Sequence, residues 1–471
     1  RRDMTKLLRS CALVLTGAAS PAWGAEFTPM LEVGVLRTDN VSQAPVDPQA
    51  ETIWQLIPTF KLEQDTGRFN ADAEYRVGYF RYDDLGEDET FNQFDGEFSV
   101  AAVPDRFFVN FGGMRAQAIV DPQANIPHNN FVLSANRTDV DEYHLGPSFQ
   151  VPVGGSAIFS GDLQRAWYRY DETAADVGYN DYTDDTVTLG VDNYAKGSGA
   201  TWAARYSAEK ASYDVQPVPF EQREASLELG LWFSNAARLF VVGGKETPWD
   251  NPLDTSLEDS FWEAGVARTS DRLAAELAVG ERSFGSSGRA SVTFMFDRGD
   301  TGLSYIEDPT TTAGDQFRSG GLLDPGQPYD YLSQAGALER YILNRLAWTL
   351  NLDLPRVSVA AVIFDEERVD RINVFGAPLG DETQTGASIS ATWSVGAKLD
   401  LVLEARAGDR EFANLSADKF EAGSLTANYE LGTRTMLIFE LQRWQEDSDE
   451  DIAGLNYTAN ALSANVQRTF R

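Results

Sequence analysis

The sequence predicts an all-β fold: one closed, antiparallel, up-and-down transmembrane barrel of about 22 strands (18–24 tolerated) with no plug domain. Three observations carry this. Apolar and polar residues alternate along the chain from about Phe27 to Phe470 with a period of two, as they do in strands, and not with the 3.6 period of helices. Connections alternate in length, short and turn-like, then longer. No apolar run reaches the ~18 residues of a spanning helix, so a membrane would have to be crossed by strands.

The alternation is clearest in Ser226–Phe233, where Leu227, Leu229, Leu231 and Phe233 share one face and Glu228 and Gly230 fall on the other. In 387–393, Ser388, Ser390 and Thr392 form the polar face; in 399–405, Asp400 and Glu404 do so. Leu437, Phe439 and Leu441 alternate with Glu440 and Gln442. Short connections near 65–67, 103–106, 153–156, 196–199, 234–237, 269–272, 297–300, 353–356, 394–397 and 430–433 use Gly, Asn, Asp and Pro, as tight turns require. Others fall at about 38–50, 83–90, 119–136, 171–181, 212–220, 246–259, 284–288, 307–339, 366–382, 408–416 and 446–453. Ten short and eleven other connections join 22 strands. Backbone groups in hydrocarbon must be paired, so such a sheet has to close; an even count leaves both termini on the periplasmic side.

Residues 1–24 read as a cleaved signal peptide: Lys6 and Arg9, the apolar stretch Cys11–Ala19, then Ala22-Trp23-Gly24. Residues 25–471 form the single barrel domain. With 72 acids against 39 bases and a net charge of −33, nucleic acid is excluded as a partner. Cys11 is the sole cysteine, which excludes a disulfide scaffold or a cysteine-based metal centre.

The longer connections are acidic, as in Asp83–Glu89, Glu446–Asp451, and Asp171, Glu172, Asp176 and Asp181. The short turns carry Arg106, Lys196, Arg272, Arg298, Arg356 and Arg434. Aromatic clusters flank predicted turns, as membrane–water girdles would: Tyr79-Phe80-Arg81-Tyr82, Trp167–Tyr170 and Trp444 at one edge, Phe107-Phe108 and Trp232-Phe233 at the other. Leu462, Ala464, Val466 and Phe470 share a face of the last strand and resemble the strand that outer-membrane barrels offer to the barrel-assembly machinery, although Arg471 follows the aromatic.

Arg37–Val41, Ile53–Phe60 and Tyr75–Tyr82, with Asp39-Asn40, Pro58 and Tyr457…Asn460…Phe470, resemble the β-barrel porin type 2 family, including barrels associated with PEP-CTERM and exopolysaccharide gene clusters. The resemblance implies an outer-membrane location in a Gram-negative cell and a part in export or surface retention of an extracellular polysaccharide. It brings no catalytic residues.

The residues themselves point to no enzyme. His128, in a loop, and His144, at a strand start, have no partners spaced as a catalytic triad or metal site requires, and no cofactor is expected. Gly154-Gly155 and Gly285–Gly288 read as turn glycines, and Asp365-Glu366-Glu367 as loop acids. A globular plug has no room, because strand alternation starts almost at the cleavage site; the 308–339 connection, with Tyr329 and Tyr331, is the candidate obstruction of the lumen. Inward acids such as Glu228, Asp400, Glu404 and Glu440 would disfavour anions. Three functions stay open: a conduit accessory to polysaccharide export, a general cation-preferring diffusion porin, and a structural or adhesive barrel whose acidic loops bind cations or lipopolysaccharide. No substrate-binding residue is assigned.

Overall fold

The computed structural model describes residues 25–470 except 120–126, 128, 135, 172–180, 194–198, 215–219, 250–255, 312–338, 374–377, 379, 413–417 and 449–455. The leader, His128, Lys196, Asp176 and the Tyr329/Tyr331 connection lie outside the described residues.

Twenty-two strands follow one another. They are β1 (Glu26–Thr38), β2 (Glu51–Asp65), β3 (Phe69–Tyr82), β4 (Asp88–Val103), β5 (Phe107–Ile119) and β6 (Arg137–Val153). Then come β7 (Ala157–Tyr170), β8 (Tyr182–Asp192), β9 (Gly199–Tyr213), β10 (Phe220–Ser234), β11 (Ala237–Glu246) and β12 (Asp259–Thr269). β13 (Leu273–Arg282), β14 (Gly285–Phe296), β15 (Gly299–Thr311), β16 (Glu339–Leu354) and β17 (Val357–Asn373) follow. β18 (Glu382–Ser394), β19 (Leu399–Phe412), β20 (Asp418–Gly432), β21 (Thr435–Ser448) and β22 (Tyr457–Thr469) complete the sheet. Each strand pairs antiparallel with its chain neighbour, and β22 returns to β1 from Met30↔Thr469 to Thr38↔Ala461. Closure leaves no free sheet edge, the condition for a strand-built membrane span.

Side-chain exposure follows the predicted zigzag. Leu227, Leu229, Leu231 and Phe233 are 48–61% exposed, while Glu228 between them is 7% exposed. The same outward face carries Leu239 and Val241 on β11, Trp262 on β12, Leu277 and Val279 on β13, and Val292 and Phe294 on β14. A continuous apolar band of this kind would be a severe liability in water and is what hydrocarbon requires.

The ten short connections lie at one end of the barrel, here the turn end, and the others at the loop end. At the turn end Gly154 (φ 65°) lets the chain reverse between β6 and β7, and Asp105 (φ 61°) does the same between β4 and β5, where an aspartate is tolerated.

Four readings need correction. Gly285–Gly288 is not a turn: it opens β14, and the reversal is Ser283-Phe284, made possible by Gly285 at φ 126°. β17 continues to Asn373 and β19 to Phe412, so Asp365-Glu366-Glu367 is strand; Glu366 points inward to an ion pair and is only 2% exposed. His144 sits in the middle of β6 and not at its start. The loop-end aromatics are not all a lipid girdle: Phe80, Tyr82, Tyr168 and Trp444 are 0–5% exposed and face inward, because these strands carry apolar residues on both faces near the loop end.

Candidate functional site

The lumen is the candidate site, and three features shape it. The first is the seam between β1 and β22. The carboxylate of Asp39 accepts hydrogen bonds from the Asn460 backbone N–H and from its side-chain amide, both at 2.7 Å. Asn40, 2% exposed, donates from Nδ2 to the carbonyl oxygens of Ala44 (2.9 Å) and Thr458 (3.2 Å), and its Oδ1 accepts from the Ala44 N–H (2.8 Å). Asp39-Asn40 and Asn460, noted separately in the sequence, therefore form one staple across strands some 420 residues apart. Deeper in the lumen Gln55 donates to Asn465 Oδ1 (2.5 Å) over Gly34. A Cβ at Gly34 would collide with Asn465 Oδ1 and the Ala464 carbonyl oxygen, so this bridge requires glycine. We expect Asn40→Ala, which strands buried polar groups, to destabilise the seam by about 1–3 kcal/mol. A lowered temperature for loss of the compact, heat-modifiable band in detergent gels would report it.

The second feature is the loop-end mouth. Phe131, Val132 and Leu133, from the β5–β6 connection, fold inward against Val41, Tyr82, Trp444 and Tyr457. The Phe131 and Trp444 rings lie 5.8 Å apart, the Tyr82 hydroxyl donates to the Phe131 carbonyl (2.9 Å), and Asn129 Nδ2 donates to Gln442 Oε1 (3.0 Å). From the other side Trp249, in the β11–β12 connection, stacks under the guanidinium of Arg340 on β16 at 4.2 Å, and the Trp249 carbonyl accepts from it. Loop residues thus narrow the mouth from two sides. Sequence reasoning placed the obstruction at 308–339 and missed these residues, whose signal was an apolar Phe-Val-Leu inside a polar connection.

The third feature is the lumen wall. From β9 to β14 it is an ion-pair ladder. Glu228 pairs with Arg238 (2.5 Å) and lies 3.8 Å from Arg205. Arg282, 11% exposed, reaches Glu224 (2.5 Å), Glu246 (2.6 Å) and Glu263 (3.5 Å), and Arg289 joins Glu263 to Glu276. Glu228, expected as a lumenal charge, is thus neutralised within the wall. Glu404 accepts from the Ser424 hydroxyl and Glu440 from Gln442. Between β17 and β19, Arg368 pairs with Glu366, while Arg371 and Arg410 both pair with Glu382.

The opposite wall, β2 to β9, is rich in acid, part of it paired, as in Lys61–Glu74 and Arg115–Asp139. A cavity of about 680 Å³ toward the turn end is lined by Glu26, Glu63, Asp65, Asp72 and Glu97. Glu97 also lines a second cavity, of about 660 Å³, with Glu142, Asp184, Glu209, Glu224 and Asp308. Acid therefore lines both cavities, which meet at Glu97. His144 bridges Glu142 (Nδ1, 3.2 Å) and Glu97 (Nε2, 3.1 Å), an ionic contact and not a catalytic pairing with a nucleophile. Above the second cavity Tyr168 stacks on Tyr182 at 4.3 Å and Tyr182 meets Tyr213 at 5.0 Å. No cluster of three or more His, Cys, Asp or Glu suited to a metal ion occurs among the described residues.

No family model matches the chain, and no curated protein does. Solved structures do. One variant of the ferric enterobactin receptor of Pseudomonas aeruginosa has a TM-score of 0.51 and 11% identity, covering 95% of this chain and 81% of the receptor's. Another variant of it has a TM-score of 0.50 and 11% identity, covering 96% and 81%. The siderophore receptor PirA of the same organism has a TM-score of 0.48 and 10% identity, covering 95% and 80%. The fold is that of outer-membrane β-barrels.

Proposed function

We propose that the chain is an outer-membrane β-barrel of a Gram-negative cell that forms a cation-preferring conduit for hydrophilic solutes and has no enzymatic activity. The observation that carries this is the acidic wall from Glu63 and Asp72 through Glu97 to Glu142, Asp184 and Glu209. Fixed negative charge along a confined aqueous path raises the local concentration of cations and repels anions. The termini and short turns face the periplasm and the acidic loops the cell surface, among lipopolysaccharide; the last strand delivers the chain to the barrel-assembly machinery.

In planar bilayers under a potassium chloride gradient, the purified barrel is expected to give a reversal potential on the cation-selective side. Anion selectivity, or no conductance at all, would refute the reading.

A second reading, a conduit accessory to export of a surface polysaccharide, draws on the tyrosine ladder of Tyr168, Tyr182 and Tyr213 beside the cavity residues Gln164, Thr186 and Ser207. Aromatic faces next to hydroxyls and amides are the chemistry that holds sugar rings. Loss of surface polymer on gene deletion, restored by the wild-type chain, would support it.

A further inference from the structure

We propose that the lumenal cavity beneath the tyrosine ladder is a binding site for an organic polyamine, a flexible chain bearing several ammonium groups. The inference rests on the conduit reading and assigns that conduit a ligand class.

Four observations converge. The cavity is large, about 660 Å³, far more than one metal ion and its ligands occupy. Its acids are spread over the wall, with Glu142 on β6, Asp184 on β8, Glu209 on β9 and Glu224 on β10. Neighbouring strands are ~4.8 Å apart, so β6 to β10 spans about 19 Å along the wall. A single ion cannot meet carboxylates at that spacing, whereas a chain with separated ammonium groups can.

Acids also outnumber bases in the lining: Glu97, Glu142, Asp184, Glu209, Glu224 and Asp308 against His144, Arg223 and Arg282. Arg282 reaches the cavity but is shared among Glu224, Glu246 and Glu263. His144 is held between Glu142 and Glu97. The buried Oδ1 of Asp184 has no hydrogen-bond partner, a costly state for a carboxylate oxygen that an ammonium donor would relieve. Asp184 and Glu209 lie on the same lumenal face of paired strands, Asp184 opposite Ala211 and Glu209 opposite Thr186, so each is the other's diagonal neighbour.

Finally, the rest of the lining suits an amine chain. Tyr168 offers a ring to an ammonium group or to methylenes. Gln164, Thr186 and Gln222 supply neutral hydrogen-bonding groups between the acids.

The test is calorimetric titration of spermidine into the full-length barrel in detergent, with Mg²⁺ as the comparison cation. Wild-type protein is expected to bind spermidine, and the Asp184→Asn/Glu209→Gln double variant to bind it about ten- to hundred-fold more weakly. Glu430→Gln, exposed at the turn end, is expected to leave binding unchanged. Should the double variant fail to assemble, Asp184→Asn alone removes the key charge without altering side-chain shape. Absent spermidine binding, equal binding by the variants, or Mg²⁺ displacing spermidine at equal concentration would overturn the proposal. Conduction and binding are read separately: current without spermidine binding overturns this site and leaves the conduit, and binding without current does the reverse.

Discussion

Replacing Arg282 with methionine is expected to destabilise the folded barrel by about 3–5 kcal/mol, seen as a lower urea midpoint for unfolding from detergent or vesicles. The reason is the company it keeps. Arg282 is 11% exposed and its guanidinium serves Glu224, Glu246 and Glu263, of which Glu246 and Glu263 are 5% and 8% exposed. Its face also lies 4.6 Å over the Phe261 ring. Without it, Glu224 and Glu246 lose their counter-charge and Glu263 keeps only Arg289, so carboxylates on three adjoining strands repel one another. Adding Glu246→Gln to Arg282→Met should recover part of the loss, because one uncompensated charge is then gone. An unchanged midpoint for Arg282→Met would show that the ladder contributes nothing to stability.

Phe131→Ala is expected to open the mouth. The ring is 6% exposed against Trp444, and it anchors the inward segment together with fully buried Val132. Truncating a buried Phe costs about 3 kcal/mol or more, which would weaken docking of the segment by about 100-fold. The single-channel current should therefore rise, or its closures become more frequent and shorter, while the sign of selectivity stays the same because the acidic wall is untouched. Wild-type-like conductance and gating would mean that the segment does not limit passage.

Much of this fold was legible in the residues. Along β10, lipid on one side and water on the other impose opposite demands on neighbouring positions, so Leu227, Glu228 and Leu229 declare their faces. The turns declared themselves through Gly, Pro, Asp and Asn. The reading failed where that contrast disappears. Near the loop end Tyr79 and Phe80 are both aromatic, yet Phe80 packs inward beneath the folded-in loops. There the interior is itself apolar, and alternation no longer separates the faces. The site was less accessible still. Arg282 meets Glu224 from 58 positions away, and Asp39 meets Asn460 from 421. Such partners depend on strand register and on closure of the sheet, neither of which a local pattern reports. Glu228 shows the consequence: its inward direction could be read from the strand, but its neutralisation by Arg238 could not.

The most direct test uses the scarcity of cysteine. Cys11 is the only one in the chain, so with Cys11→Ser single cysteines can be placed at positions 226 to 229 and 231 of β10. In lipid vesicles, a water-soluble maleimide should label Ser226→Cys and Glu228→Cys. It should spare Leu227→Cys, Leu229→Cys and Leu231→Cys, and fluorophores at those three positions should be quenched by spin labels on lipid chains. Labelling without alternation, or with the two sets reversed, would contradict a closed barrel that is apolar outside and aqueous within.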